Sequence, residues 1–473
     1  MENVFPHLHA VVVCGQSGNE LWPLVRDRNP REVIVLPGDD ESLLESAIRR
    51  CRAVSPNPIV FVCPPEVAGQ MQHSIESSRM IGRGDYRMLV EPCQQGSAFA
   101  LAFAAAVLKL EDPNACILAM NPHVKLDGDE LWEQAVARGY RAAQDDLLAV
   151  FAVPSRRSGS THSFVRFAGE LKQHPGVHQV TAFTADATQQ QSNRYVSLGL
   201  YWATGVVAAR ATAILGSLQY VAARCDNREC EEMDRVAETA TLMASVEEDS
   251  WQSQHAQKLV ESLPAVSFEE AVLQFHPDAV VVPMTLDMVS MESLRDIDDA
   301  QLPDEDGNRV VGRGFAIDSQ NTTIYDNDRL TVTLGCENLM VVNTRDAVLV
   351  ASKDSLDDLG AAVPQMVEAG AREALQSSVV AYGWGTSCTV FSGKGCKASL
   401  YTIWPGKGTG RYSRARTRES WTVLEGQAVC LSAGEYKSYK LGSKVEFEAG
   451  VVHELKNMGD APLELMCVES VPE

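Results

Sequence analysis

The sequence predicts three folded parts in series: an α/β domain built on a mostly parallel, Rossmann-like sheet, a small β-rich domain, and a C-terminal jelly-roll barrel. Three observations carry this. Short apolar runs alternate with amphipathic stretches over roughly the first 290 residues. The polar turn "PDEDGN" then opens a series of short strands with few helices between them. From residue 379 onward the pattern is all β, with glycine turns at regular spacing.

The first part opens with "HAVVVCG", which leads into "ESLLESAIRRCRAV" and then "PIVFVCP". "RMLVEP" is followed by "SAFALAFAAAVLKL" and "ACILAMNP", and the helical "DELWEQAVARGYRAAQ" precedes "LLAVFAVP". Strands of this kind, buried on both faces, form a sheet covered by helices on each side. Ligands bind such sheets beyond the carboxyl ends of the strands. That rule gathers "GQSGNE", "EPCQQGS" and "MNPH" on one rim. After the turn, "TTIYDN", "RLTVTLG", "LMVVNT" and "AVLVAS" read as a compact, β-helix-like stack. "SLDDLGAAVPQMVEAGAREALQ" reads as a helical linker. The expected boundaries are residues 1–295, 303–355, 356–378 and 379–473.

Composition narrows the function classes. Of 473 residues, 63 are acidic and 41 are Lys or Arg, a net charge of −22. Such a surface disfavours nucleic acid and anionic membranes as partners. No apolar run reaches the length of a membrane span, about 18–20 residues. The N-terminus lacks a basic segment followed by an apolar one, so the expected location is the cytoplasm. The twelve cysteines form no CxxC pair and read as buried, reduced thiols.

The stretch "GQSGNELWPLVRDRNPRE" (15–32) follows the opening strand. A strand running into a Gly-rich turn and a helix usually cradles phosphate on free N–H groups. Glu20 is out of place in such a turn. The stretch resembles GGSGTRLWPLSRxxxPKQ, the opening of the bifunctional mannose-1-phosphate guanylyltransferase/mannose-6-phosphate isomerases. Gly15, Gly18, Leu21, Trp22, Pro23, Leu24, Arg26 and Pro30 match. "LVEP" (89–92), "YWATG" (201–205), "AVVVP" (279–283), "DEDGN" (304–308) and "NLMVVNTRDAVLVASKD" also resemble family segments. The resemblance covers nearly the whole chain. It implies a nucleotidyltransferase domain, a β-helix-like middle domain and a cupin barrel. It also implies Mg²⁺ at the transferase site, Zn²⁺ in the barrel, and a nucleotide sugar as ligand.

Against that pattern several positions depart. The loop arginine of the family falls at Glu20, the lysine of PKQ at Arg31, and the lysine of VEKP at Asp186. The two metal-binding aspartates fall at Pro122 and about Ser290, with Asp287 close enough to substitute in a shifted register. The family's R-N-T reads Gln95, Gly96, Ser97, and the Asn of YWNSG is Ala203. Two unit charges 4 Å apart interact by about 4 kcal/mol at an effective dielectric of 20, so reversing sign at two positions opposes triphosphate binding. Gly15, Gly18, Arg26, Arg31 and Glu91 are what remains of a nucleotide side, and Tyr201, Trp202 and Gly205 of a sugar side.

The barrel repeats the theme. Gly406, Glu419 and Gly426 hold the first cupin frame; Gly442, Gly450, His453 and Asn457 hold the second. The histidines of the first frame are replaced by Tyr412 and Arg414. Glu419 and His453 remain, too few for Zn²⁺, which takes three or four protein ligands. Arg414 is expected either to sit where the metal was and pair with Glu419, or to share a solvated strand face with Arg416 and Arg418. An anion-binding patch is a third reading, and His453 reads as a hydrogen-bonded barrel histidine.

Taken together, the departures predict a non-catalytic homologue: a binding, regulatory or assembly partner in nucleotide-sugar and polysaccharide biosynthesis. It would bind a nucleotide sugar or an active relative and form homo- or hetero-oligomers. Mg²⁺ and Zn²⁺ belong only to the case in which the family activity survives. The alternative is an active mannose-1-phosphate guanylyltransferase or related nucleotidyltransferase with a rearranged site drawn from Arg26, Arg31, Arg156, Arg157, Asp127 and Asp287. A purely structural oligomer component is the third class.

Overall fold

A computed structural model describes residues 5–471 except 16–17, 27–29, 34–40, 79, 156–162, 186, 225–231, 383 and 433. The side chains of residues 127, 189, 327, 328 and 381 also lie outside the description. The strand Leu8–Val13 sits near the middle of a nine-stranded sheet. Ile59–Cys63 and Tyr86–Val90 lie in succession on one side of it, and Cys116–Met120 on the other, all parallel. Ile59–Cys63 and Cys116–Met120 are buried throughout, so each buries two layers of side chains, whereas the edge strand Tyr86–Val90 is half-buried. Tyr201–Arg210 then enters antiparallel between Cys116–Met120 and Leu148–Pro154, which makes the sheet mixed. Ala279–Pro283 continues parallel to Leu148–Pro154.

The helix Gly96–Glu111 shows why the sheet can be so apolar. Its residues Ala98 to Leu108 are all buried, packed between the sheet and the helices Ala211–Ala222 and Met233–Ala244. A helix that is hydrophobic all round belongs inside a domain. The other face is covered by Leu43–Val54, opened by a reciprocal Ser42–Glu45 cap, and by Asp129–Gln144.

In the middle domain, Arg309–Ile317, Thr323–Leu334 and Leu339–Asn343 pair in parallel, and Val348–Ser352 closes the sheet antiparallel. Buried Asn308, Ser319, Thr322 and Thr323 replace apolar residues along its turns. The Asn308 amide donates to the Ser319 carbonyl at 2.8 Å and its oxygen accepts from the Thr322 N–H at 3.0 Å, so these polar groups are satisfied inside. Helix Leu359–Glu368 follows. The barrel consists of a six-stranded and a three-stranded sheet. Its core holds Tyr401, Trp421, Val423, Leu455 and Cys467.

Leu21, Trp22, Leu24 and Val25 of the opening motif form one core with Tyr325, Met340, Val342, Leu359 and Val363. The motif therefore docks the middle domain and its following helix against the sheet rim. The Trp22 indole N–H donates to the Glu373 carbonyl at 3.2 Å. Burying such an aromatic side chain is worth about 2–3 kcal/mol, which explains a fixed tryptophan beside a ligand loop. All ten cysteines among the described residues are free. No helix among them is long and apolar enough to cross a membrane.

Candidate functional site

The strands Leu8–Val13 and Cys116–Met120 point their carboxyl ends to the same rim. A cleft of about 280 Å³ opens there, lined by Gly15, Gly18, Asn19, Arg26, Glu66 and Gln94 among others. Gly15 has φ 76°, and a Cβ there would meet the Pro64 ring at 2.7 Å, so only glycine fits. Its N–H donates to Glu32 Oε1 at 2.7 Å. Arg26 lines the cleft, but its Nη1 donates to Asp346 Oδ2 at 2.6 Å and to the Gln376 carbonyl at 3.2 Å. Two of the loop's described donors, the Gly15 N–H and Arg26, are thus held by the chain's own acceptors.

This alters two expectations. Arg26 does not stand as an uncommitted phosphate-facing cation, because Asp346 of the middle domain neutralises it. Burial raises the Asp346 carboxyl, but the Arg26 guanidinium and the Ser378 N–H outweigh that and hold it below its ordinary value. Glu20 does not face the cleft either. It lies in the single turn Asn19–Leu21, exposed, with its carboxylate against helix Leu359–Glu368: a Cβ on Gly360 would lie 2.8 Å from Glu20 Oε1. The turn rotates the side chain away from where linear register placed it. Arg31, by contrast, is buried behind the loop, its Nη2 3.5 Å from where a Cβ on Gly18 would stand.

Deeper along the rim are two adjoining cavities of about 210 and 50 Å³. Asn121, His123, Gly205, Glu269 and Glu292 line both. The strands Val124–Asp127 and Asp287–Ser290 pair antiparallel, with Ser290 opposite Val124, and this brings the "MNPH" turn beside Ser290–Glu292. His123 Nε2 lies 3.4 Å from Glu292 Oε1. The Ser163 hydroxyl donates to Glu269 Oε2 at 2.8 Å. Ser290 lines the smaller cavity, and its buried hydroxyl has no hydrogen-bond partner.

Pro122 and Ser290 therefore do come together, as the register of the two segments requires. Asp287 does not replace either. It pairs with residue 127 at the far end of the short ladder and lines neither cavity. The carboxylates that reach the space are Glu269 and Glu292, which sequence reasoning passed over. Their signal was present: Glu292 stands two residues beyond Ser290, and Asn121 and His123 flank Pro122. Mg²⁺ needs only one or two carboxylates beside substrate phosphates, and Glu269 and Glu292 are the ones here that could carry it. Pro122 has no ligand atom. Among the described residues, three acidic, His or Cys side chains bring their ligand atoms within 4.8 Å of one another only at Glu419, Cys467 and Glu469.

Of the sugar-side residues, Gly205 lines both cavities, with φ 71° and a virtual Cβ 3.2 Å from Asn121 Nδ2. Tyr201 and Trp202 instead pack into the two cores flanking the sheet. Glu91 is 3% exposed, and burial first, then Glu66, pushes its carboxyl up to about 8. Gln95 donates to the Leu263 carbonyl, Gly96 opens a helix, and Ser97 lines the larger cavity. Asp186, Arg156 and Arg157 lie outside the described residues.

In the barrel the four cupin positions converge. Backbone bonds tie Tyr412 to His453 in both directions, at 3.1 and 2.9 Å. The Arg414 Nε donates to Glu419 Oε1 at 2.9 Å, and its Nη2 lies 3.2 Å from Glu469 Oε1. The Tyr412 hydroxyl donates to Glu419 Oε1 at 3.3 Å, and His453 Nε2 is 3.1 Å from Glu419 Oε2. Burial raises the Glu419 carboxyl, but His453 and Arg414 prevail and hold it below its ordinary value. The first of the Arg414 alternatives is the one observed. The residues do not fit resident Zn²⁺, since a guanidinium already bridges the carboxylates.

Comparison with known proteins follows this layout. A nucleotidyl transferase model matches residues 9–234, a mannose-phosphate isomerase/GMP-like β-helix domain model residues 312–366, and a cupin domain model residues 399–469. The alginate biosynthesis protein AlgA of Pseudomonas aeruginosa is 26% identical over 468 residues, covering 97% of this chain and 93% of the relative. The mannose-1-phosphate guanylyltransferase of Escherichia coli is 27% identical over 475 residues, covering 98% and 95%. The chain belongs to the ManC/AlgA family of bifunctional mannose-1-phosphate guanylyltransferase/mannose-6-phosphate isomerases. It is a distant member, at ~25% identity. A crystal structure described as a mannose-1-phosphate geranyltransferase from Thermus thermophilus shares the fold, with a TM-score of 0.63 at 19% identity over 76% of this chain and 99% of that one.

Proposed function

We propose that the chain is a sugar-phosphate nucleotidyltransferase of the GDP-mannose-forming family, acting in polysaccharide biosynthesis from a rearranged site. The supporting observation is the open pair of cavities on the sheet rim. His123, Glu269, Glu292, Asn121 and Ser290 surround that space with polar groups, although the resemblance implies two metal aspartates that this sequence replaces. A cavity with convergent polar side chains at the carboxyl ends of an α/β sheet is where such a fold binds its ligand. Carboxylates and amides at this spacing suit the hydroxyls of a sugar ring, which donate to the former and accept from the latter. Arg31 supplies positive charge behind the glycine loop. No step is assigned to a resident metal, and the barrel is assigned no isomerase chemistry.

A non-catalytic partner role is the second reading. It is favoured by Pro122 and by two donors of the loop that the chain itself occupies, the Gly15 N–H on Glu32 and Arg26 on Asp346. Pyrophosphate release from GTP with mannose 1-phosphate and Mg²⁺, with calorimetry of GDP-mannose binding, separates the two. Turnover that is lost in Glu292→Gln supports the enzyme. Binding heat without turnover supports the partner, and neither heat nor turnover removes the cavity from both readings.

A further inference from the structure

The barrel interior contains more than the two cupin remnants the sequence frame preserves. Glu419, Cys467 and Glu469 are all buried, and their ligand atoms lie within 4.8 Å of one another. Cys467 and Glu469 come from the last strand, Leu463–Ser470, which pairs with Arg418–Glu425 so that Glu419 faces Glu469 and Trp421 faces Cys467. His453 is 1% exposed and sits between Phe447, stacked at 3.8 Å, and Tyr412 at 4.5 Å. Its Nδ1 lies 3.0 Å from the Val451 carbonyl, which turns Nε2 toward Glu419. That Nε2 contact has ion-pair distance but not the alignment of a hydrogen bond. An imidazole anchored through one nitrogen to a carbonyl, with the other facing carboxylates, has the orientation that metal-ligating histidines adopt.

Two buried carboxylates this close repel each other and lose hydration, so the site needs a cation. Arg414 provides one. Its side chain is 38% exposed and reaches in from the barrel mouth to contact both carboxylates. A planar guanidinium suits this bridging, since its donors lie in a fixed fork.

We infer that Arg414 is a built-in cation that substitutes for a metal, and that removing it uncovers a divalent-metal site made by Glu419, Cys467 and Glu469, with His453 Nε2 beside Glu419. The wild-type barrel is then metal-independent. The donor set of that cluster, two carboxylates and one thiolate, belongs to Zn²⁺ or Co²⁺ rather than Mg²⁺. This reaches beyond the proposed function, because the transferase cavity plays no part in it, and failure of either leaves the other standing.

The test uses the full chain with Zn²⁺ or Co²⁺ as the probe. Wild type, Arg414→Met and the double variant Tyr412→His/Arg414→His are each incubated with metal, passed through a desalting column and assayed for bound ion. The expected result is substoichiometric metal and an EDTA-insensitive melting temperature for wild type. Arg414→Met should retain one Zn²⁺ per chain, melt higher with Zn²⁺ than without, and give a Co²⁺ spectrum with a thiolate charge-transfer band that Cys467→Ser abolishes. If Arg414→Met does not fold without metal, refolding that depends on Zn²⁺ is the same result. The double variant keeps the question open to refutation through its restored imidazoles. Stoichiometric zinc in wild type, or no metal in either variant, overturns the inference.

Discussion

In the barrel, Arg414 lies between Glu419 and Glu469 and occupies the interior with the chain's own charge. On the sheet rim, the space between Asn121–His123 and Ser290–Glu292 stays open as cavities of about 210 and 50 Å³. At both regions the resemblance implies ligand residues that the sequence does not carry, and the structure treats the two spaces in opposite ways. A buried site that loses its metal but keeps its carboxylates must gain a cation or pay a desolvation penalty. A rim site exposed to water carries no such demand, so it can change ligands and remain a site. Lost motif residues therefore argue more strongly against function in the closed barrel than in the open cleft.

The largest effect expected from disturbing this contrast lies where the rim loop joins the middle domain. Arg26 has a side chain 1% exposed and pairs with Asp346, which is 13% exposed. Removing one partner strands the other, at a cost of about 3–5 kcal/mol. Arg26→Met should lower the urea midpoint accordingly, and a change below 1 kcal/mol would return Arg26 to the cleft as an uncommitted cation. Next, Glu292→Gln should reduce GDP-mannose affinity or turnover by at least about tenfold, the loss of one charge-assisted hydrogen bond. Its melting temperature should stay close to wild type, since the residue lines an open cavity.

Glu91 offers a pH-dependent test. A carboxyl raised to about 8 from 4.5 binds its proton more tightly in the folded state. The unfolded chain thus holds fewer protons between those values, and stability falls as pH rises across that window. Glu91→Gln should match wild type near pH 4 and gain on it up to about pH 8, by at most 1.4 kcal/mol per pH unit. Equal pH profiles would place Glu91 in water. The smallest effect is expected at Glu20. Because its carboxylate faces Gly360, Glu20→Arg should change nucleotide affinity by less than about threefold, a fraction of a kcal/mol as for an exposed ion pair. A large gain would show that the family arginine's role is recoverable in this loop.

Much of this layout was legible in the sequence. The alternating apolar runs and the two cupin frames carried the three-part fold, because burial periodicity and glycine turns are local signals. The convergence of Tyr412, Arg414, Glu419 and His453 followed from their places in the two frames that resemble a cupin barrel. What escaped depended on long-range contact or side-chain direction. "LWPL" reads as part of a ligand loop, yet its partners Tyr325, Met340 and Leu359 stand some three hundred residues away. The antiparallel entry of Tyr201–Arg210 leaves no local mark either. Glu469 was within reach. In "LELMCVES" the residues Leu463, Leu465, Cys467 and Glu469 alternate inward, so a glutamate on that side was already a site residue.

The most direct test of the contrast assays both chemistries on the same wild-type preparation, supplied with Mg²⁺ and Zn²⁺. One arm follows pyrophosphate released from GTP and mannose 1-phosphate, and the other follows isomerisation of mannose 6-phosphate. The open cleft and the self-occupied barrel predict turnover in the first arm and none in the second. Isomerisation without pyrophosphate release would contradict the account in both of its halves.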